Sequence, residues 1–343
     1  MITIKEIAEL AGVSIGTVDR VLHNRGRVSE TTRTSILSIV KEKGYRRNVV
    51  ASQLSNNKKT VFAIIMPLPH QNDSFWDLIK SGIEAGREKL GFFKIDLQYF
   101  YFDRFDKDSY GREFKKAVEI KPHGFLIAPV LAEQAILFKT QIRENQKVVL
   151  INSDLPDFPR ISHIGQNSYS SGRTAGKLMT QIIPQNGDIA VIEVEPEDYH
   201  INIRARGFKE YIAENSGSKV KTYLLPMENK QLEFEITGKR IIVENKNLKG
   251  LFVPNSSVHY FAELIKDIKI IGYDLVHANA EMLSKGKIDF LINQQPAKQG
   301  ELALEYLFRN IVLQEKVKEF QFLPIEIICR ENLESYREGG KNE

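Results

Sequence analysis

Cysteine is nearly absent: Cys329 is the only one in 343 residues. That excludes an intramolecular disulfide and any cysteine-rich metal site. No nearby motif would activate the thiol, so a buried, inert Cys329 is expected. Also missing is any run of about 18 apolar residues, so no membrane-spanning helix is expected. The opening stretch MITIKEIAELAGVS carries Lys5, Glu6 and Glu9 and has neither the basic start nor the apolar stretch of a secretory leader. The expected location is therefore cytoplasmic. Catalytic signatures are lacking too. No G-x-G-x-x-G follows the first apolar run, and neither G-x-x-x-x-G-K-[ST] nor G-x-S-x-G occurs. The histidines (His23, His70, His123, His163, His200, His259 and His277) are dispersed, with no metal-ligand pair at helical spacing. Glu193, Glu195, Glu197 and Asp198 crowd one strand end, and a solvated loop is the expected reading rather than a metal site. No cofactor, metal or catalytic residue is expected, although absent motifs alone do not close the enzyme reading.

What is present begins with length. A chain of 343 residues exceeds one ordinary core and suits a small domain joined to a two-lobed one. Hydrophobic residues at 42% and charged residues at 27% place it among soluble globular proteins. The net charge of +4 is unevenly spread. Residues 1–60 hold 11 Lys/Arg against 5 Asp/Glu, whereas the remaining 283 residues hold 37 against 39. A basic head on a near-neutral body points to an anionic partner for the head alone, double-stranded DNA first among candidates.

Residues 1–46 read as three short helices. Thr3-x-x-Glu6 forms a capping box, and Ile4, Ile7, Ala8 and Ala11 follow at helical spacing. Gly12 stops this helix, and Ser14 caps a second that turns Val18, Val21 and Leu22 inward. Ser29 caps a third, with Ile36, Ile39 and Val40 inward and Gly44 as its stop. Residues 47–59 read as a very short helix and a polar linker, marginal in isolation and expected to order on binding or dimerisation.

From Thr60 short apolar runs alternate with helical patterns. Runs at 61–65, 124–127, 148–151, 189–192 and 268–271 are separated by helices near 74–90, 169–183, 201–214 and 296–312. Such alternation predicts parallel sheets covered by helices on both faces, and roughly ten strand-helix units favour two similar lobes. The expected division is lobe 1 from about 60–160 and 294–320, lobe 2 from about 161–293 and 321–338, and a tail at 339–343.

Residues 3–54 resemble the head of the lac-repressor (LacI/GalR) family. The resemblance rests on the spacing of Ala8, Gly12-Val13-Ser14, Thr17-Val18, Arg20-Val21, Val28-Ser29, Arg33, Gly44-Tyr45, Asn48 and Leu54. The physics fits independently, since the N-terminal residues of a helix in the major groove meet base edges. Here those are Ile15, Gly16, Thr17, Asp19 and Arg20. Arg20 suits a bidentate guanine contact or a plain phosphate contact, and Ile15 suits a thymine methyl or half-buried packing. Ser14, Thr17 and Arg33 suit phosphates. The resemblance further implies that Asn48, Ala51 and Leu54 lie on a hinge helix, with Leu54 wedged into the minor groove and Ala51 against the partner hinge. The sequence departs from the family at Asp19, where serine is usual, and at Arg47, where proline is usual. The alternative for the whole head is a three-helix bundle used for protein contact.

Residues 60–330 resemble the family's periplasmic-sugar-binding-protein (type I) sensor. The matching stretches are 72–76, 151–154, 204–208, 254–255, 271–274, 293–296 and 324–332. Their polar groups fall just beyond the carboxyl ends of the expected strands, where open α/β sheets bind ligands. Asp73, Asn152, Asp154, Arg204, Asn255, Asp274 and Gln294 offer donors and acceptors for hydroxyl groups, and Phe75 and Trp76 offer aromatic faces. Other readings stand beside these: core packing for Phe75 and Trp76, helix capping for Asp154 and Asp274, and a surface salt bridge for Arg204. Ser256 stands where relatives commonly carry aspartate.

The expectation is an all-α helix-turn-helix head plus an α/β two-lobed periplasmic-binding-protein-like domain with parallel sheets. Its function would be that of a homodimeric repressor on near-palindromic operator DNA, controlled by a small-molecule effector, a sugar before a purine or other polar metabolite. The end of the chain shows no sustained heptad, which favours dimers over coiled-coil tetramers. The alternative from another class is a sugar-processing enzyme or passive binding protein with an appended head.

Overall fold

The computed structural model describes residues 2–22, 24–45, 59–71, 74–194, 198–225 and 230–338. The chain divides into two compact units, Met1–Asn56 and Asn57–Glu343.

The first unit holds α1 (Ile4–Ala11), α2 (Ile15–Leu22) and α3 (Glu30–Glu42). Thr3 and Glu6 form the expected capping box: the Thr3 amide donates to Glu6 Oε2 at 2.7 Å and the Glu6 amide to Thr3 Oγ1 at 3.3 Å. Gly12 ends α1 at φ 63°, a left-handed conformation that costs a residue with a Cβ about 1–2 kcal/mol. Ser14 Oγ accepts from the Thr17 amide at the start of α2, and Ser29 Oγ accepts from the Thr32 amide at the start of α3. Ile7, Ala8, Val18, Val21 and Ile36 form the buried centre, one apolar stripe from each helix. Residues 46–58, with Arg47, Asn48, Ala51 and Leu54, lie outside the described residues.

The second unit has two six-stranded sheets. Lobe 1 is built on β1 (Thr60–Pro67), β2 (Ile95–Phe102), β3 (Gly124–Ile127), β4 (Lys147–Ile151), β5 (Ser162–Gln166) and β11 (Phe320–Leu323), in the order β11-β5-β4-β3-β1-β2. Lobe 2 is built on β6 (Asp188–Val194), β7 (Val220–Leu225), β8 (Leu248–Phe252), β9 (Lys269–Tyr273), β10 (Phe290–Asn293) and β12 (Glu326–Ile328), in the order β12-β10-β9-β8-β6-β7. Every described pairing is parallel except β10 with β12. Successive strand residues face opposite sides, so β3, buried at all of its positions, must be covered on both faces. In lobe 1 the cover is α4 (Phe75–Lys89), α5 (Lys107–Glu119), α6 (Ala132–Phe138) and α12 (Pro296–Ile311). In lobe 2 it includes α7 (Ser168–Ile182), α8 (Tyr199–Asn215), α9 (Lys230–Glu244), α10 (Val258–Leu264), α11 (His277–Ser284) and α13 (Leu333–Glu338).

The chain passes between the lobes at β5–α7, β10–α12 and β11–β12. Both β5 and the end of β11 belong to the first sheet, so the passages come after Gln166 and Leu323, later than the expected boundaries at 161 and 320. One side chain ties the passages together: Gln166 Nε2 donates to the carbonyls of Asn293 and Pro324 at 3.2 and 3.1 Å. Cys329 corrects a second expectation. It is half-buried, because it opens a 3-10 turn where its amide donates to Asn332 Oδ1 at 2.8 Å. Among the described residues no helix is long and apolar enough to cross a membrane.

Candidate functional site

In the first unit, the start of α2 is open. Ser14, Gly16 and Arg20 are exposed, Ile15 is 53% exposed, and Thr17 and Asp19 are half-buried. Ile15 therefore presents an apolar surface rather than packing, which its neighbours Val18 and Val21 supply from the opposite face. Ser14 and Thr17 hydroxyls lie 2.9 Å apart. Arg33 is half-buried, and its Nη1 donates to Asn24 Oδ1 at 2.7 Å, which fixes the guanidinium beside the turn after α2. The surface thus combines a short apolar knob, small hydroxyls and guanidinium groups, the chemistry of groove and phosphate contact.

In the second unit, the carboxyl ends of both sheets meet at a cleft lined by Phe75, Trp76, Asn152, Asp198, His200, Ile201, Arg204, Asn255, Ser256, Asp274 and Gln294. The cleft is nearly closed, with about 20 Å³ of free volume, room for one water. Gln294 is its hub. Its Oε1 accepts from Asn152 Nδ2 of lobe 1 at 3.1 Å and from Arg204 Nη2 of lobe 2 at 2.7 Å, and its Nε2 donates to Asp274 Oδ1 at 2.8 Å. Arg204 also donates from Nη1 to the Pro254 carbonyl at 3.1 Å and lies 4.2 Å from the Tyr273 ring centroid. Tyr273 is fixed in turn by its hydroxyl, which donates to Ser171 Oγ at 2.8 Å.

Close helix packing brings Arg204 here. A Cβ on Gly172 of α7 would sit 2.0 Å from the Arg204 carbonyl oxygen, and one on Gly207 of α8 would sit 2.4 Å from that of Tyr169. Only glycine allows this approach, so the spacing of α7 and α8 is set at the site itself. Asn152 (φ 65°) and Asp274 (φ 68°) end β4 and β9 in the left-handed region. Asn and Asp tolerate that region better than most residues, and such strain gathers at ligand sites. Burial pushes the Asp274 carboxyl up to about 6 against the opposing pull of Arg204 and Gln294. Burial likewise pushes the Tyr273 hydroxyl up to about 12 and the His200 imidazole down.

Seven of the residues singled out from the sequence converge on this cleft: Phe75, Trp76, Asn152, Arg204, Asn255, Asp274 and Gln294. Phe75 and Trp76 also belong to the lobe 1 core, packed edge to face at 5.2 Å, so packing and lining are both true of them. Asp274 does not cap α11, whose cap position is Val276. Asp154 is a correction. It does not line the cleft and caps no helix. Arg160 holds both its oxygens at 3.0 and 3.1 Å. Asp73 lies outside the described residues. Asp198, expected in a solvated loop, is instead 1% exposed on the cleft wall. Its neighbour Glu193 pairs with Lys209 at 2.7 Å, and Glu195 and Glu197 lie outside the described residues. Asp198, His200 and Ile201 were not foreseen as lining residues, and Ser256, noted where relatives commonly carry aspartate, lines the cleft as well. One signal for His200 was available, since it stands four residues before Arg204 on one helix and so shares its face.

Two family models match the chain: the periplasmic binding protein domain over residues 62–315 and the lacI family of bacterial regulatory proteins over residues 3–48. The HTH-type transcriptional regulator DegA of Bacillus subtilis is 39% identical over 90 residues, 26% of each chain. The ribose operon repressor of Lactococcus lactis is 22% identical over 98% of this chain and 99% of its own. A solute binding protein of an ABC transporter from Burkholderia graminis, solved with D-arabinose, superposes with a TM-score of 0.74 at 20% identity, covering 82% of this chain and 98% of that one. The exposed helix start and the two-lobed cleft are therefore the two halves of one known architecture, and the chain belongs to the lacI family of bacterial regulatory proteins, with a periplasmic binding protein domain as its sensor.

Proposed function

We propose that the chain is a cytoplasmic, homodimeric transcriptional repressor whose operator affinity is set by a sugar held between the lobes of its sensor. It is a regulator and not an enzyme, as are the curated relatives named above. Arg20, Ile15 and Gly16 read base edges, Ser14, Thr17 and Arg33 contact phosphates, and Asp19 accepts from a cytosine amino group or braces Arg20. Asn48, Ala51 and Leu54 complete the DNA contacts, and Asp73 joins the sugar contacts.

The observation that carries the reading is the Gln294 hub, whose carboxamide bonds Asn152 of one lobe and Arg204 and Asp274 of the other. A buried carboxamide, guanidinium and carboxylate so arranged match the donors and acceptors of adjacent sugar hydroxyls. A free volume near 20 Å³ is too small for a sugar, so the lobes part to admit one and close on it. A differential affinity of about 1–3 kcal/mol between the two lobe arrangements is enough for regulation.

The test is selection of duplexes from a random pool by the full-length protein, followed by titration of the selected complex with a sugar panel. A palindromic site whose affinity shifts with one sugar is the expected outcome. Failure to enrich any site at low salt, where backbone attraction is strongest, would remove the repressor reading.

A further inference from the structure

The sugar reading leaves one buried cluster of the cleft without a role. Arg104 follows β2 in lobe 1, and Asp198 precedes α8 in lobe 2. Their side chains are each 2% exposed, with Nη2 and Oδ2 3.4 Å apart. His200 Nδ1 lies 2.5 Å from Asp198 Oδ1. Arg104 is placed from its own side by Gln71, whose Oε1 accepts from the Arg104 amide at 3.1 Å while its Nε2 donates to Asp103 Oδ1 at 2.7 Å. Asp198 and His200 line the cleft, and Arg104 reaches Asp198 without lining it.

A buried ion pair is a poor source of stability, because removing two charges from water costs several kcal/mol that mutual attraction barely repays. A pair kept at a ligand wall asks for a reason in the ligand. The described lining residues carry two carboxylates, Asp198 and Asp274, against one guanidinium, Arg204. Burial drives His200 toward its neutral form. An anion enclosed here would meet the Asp198 carboxylate directly, with its countercharge Arg104 standing behind it and off the cleft wall, so the nearer like charge outweighs the farther opposite one. A hydroxyl would instead donate to that carboxylate, and the buried Trp76 Nε1, without a partner among the described residues, offers a further donor to a neutral ligand.

We propose that Asp198 is a specificity-determining residue of the effector site, positioned by Arg104, and that it restricts the effector to uncharged polyhydroxylated molecules, excluding sugar acids and sugar phosphates. The proposal rests on the cleft being the effector site. Asp198 takes a ligand hydroxyl at the end of the cleft nearest β2, and the Arg104 pairing holds its carboxylate in place as the lobes close.

The experiment titrates the full-length protein with D-arabinose, D-ribose and D-galactose, each beside its aldonic or uronic acid and its monophosphate. Trp76 emission and thermal unfolding are the readouts. A neutral sugar is expected to bind at least about tenfold more tightly than its acid or phosphate. In Asp198→Asn this neutral-to-anion ratio narrows by about tenfold, a change that loss of packing alone would not produce, whereas Arg104→Gln strips the carboxylate of its countercharge and leaves the ratio at least as wide while weakening neutral-sugar binding. The double variant R104Q/D198N removes both charges, leaves no unpaired ion, and is expected to unfold near the parent temperature with the ratio still narrowed. Tighter binding of an acid or phosphate overturns the proposal while leaving the sugar reading intact. So does an unchanged ratio in the folded double variant. Silence across the whole panel, neutral and charged alike, overturns the sugar reading and this proposal together.

Discussion

In the head, Ile15 is 53% exposed and Ser14, Gly16 and Arg20 face solvent, whereas in the sensor Arg204 and Gln294 are each 1% exposed. The head leaves its working groups in water and lets its three-helix core hold them at fixed spacing. The sensor pairs its working groups with one another inside the protein. The difference fits the partners proposed for the two regions. A DNA backbone is a large anion met at a surface, where long-range attraction supplies most of the affinity. A small neutral ligand offers only hydroxyls and C–H faces, so recognition requires desolvated, oriented groups. Substitutions in the two regions should therefore differ in kind: loss of function with intact folding in the head, and loss of both in the sensor.

The largest effect is expected at Arg204. Arg204→Met takes the donor from Gln294 Oε1 and the Pro254 carbonyl and the countercharge from Asp274, so unfolding in urea should come about 3 kcal/mol lower. Sugar binding, read from Trp76 emission, should weaken by about a hundredfold or more. A variant that keeps its stability would break the contrast with the head. Next are two glycines. In Gly172→Ala the new Cβ meets the Arg204 carbonyl oxygen at 2.0 Å, an overpacking expected to cost about 2 kcal/mol and to displace Arg204. In Gly12→Ala the Cβ has nothing within 4 Å, and only the left-handed φ is penalised, by about 1 kcal/mol. Thermal unfolding with and without sugar separates the two, since only the first should also lower sugar affinity.

Arg20→Met should weaken operator binding by about tenfold or more and relax base preference at one position, with unfolding temperature and sugar affinity unchanged. Band-shift titration against the selected site and its single-base variants measures this. The smallest effect concerns pH. The Asp274 carboxyl is raised from 3.8 to about 6 in the folded state. As pH climbs from about 4 to about 6, the unfolded chain releases this proton first, so folding stability falls across that window and is flat above it. Asp274→Asn has no proton to release there. Its unfolding temperature in the absence of sugar should therefore gain on the parent's as pH rises to 7, even as its sugar affinity falls. His163 runs the other way. Burial lowers its imidazole to about 4, so stability is lost as pH falls from about 6.5 toward 4. Scans of both the parent and His163→Gln keep the two contributions apart.

The head was readable almost residue by residue. Its caps at Thr3, Ser14 and Ser29, its stop at Gly12 and its inward Ile7, Val18, Val21 and Ile36 all occupy the positions that helical periodicity and capping chemistry assign. Interactions over three or four residues decide such features, and a sequence displays those directly. In the sensor the alternation of apolar runs and helical patterns was equally local and foretold two parallel-sheet lobes. So was the rule that polar groups just past strand ends face a ligand, which located Asn152, Asn255, Asp274 and Gln294.

What needed the tertiary structure was the choice among like residues at like positions. Asp154 and Asp198 both stand at strand ends, yet Arg160 takes the first away from the cleft and Arg104, 94 residues distant, helps hold the second on its wall. No local pattern distinguishes them, because a carboxylate goes to whichever guanidinium the packed fold brings near. The same holds for β5 and β11, whose sheet membership moved both lobe boundaries. Sequence by itself thus determined the elements, the two units and most of the polar residues that line the cleft. Tertiary packing decided which buried charges meet, since pairing energies depend on distances between segments that only the folded chain sets.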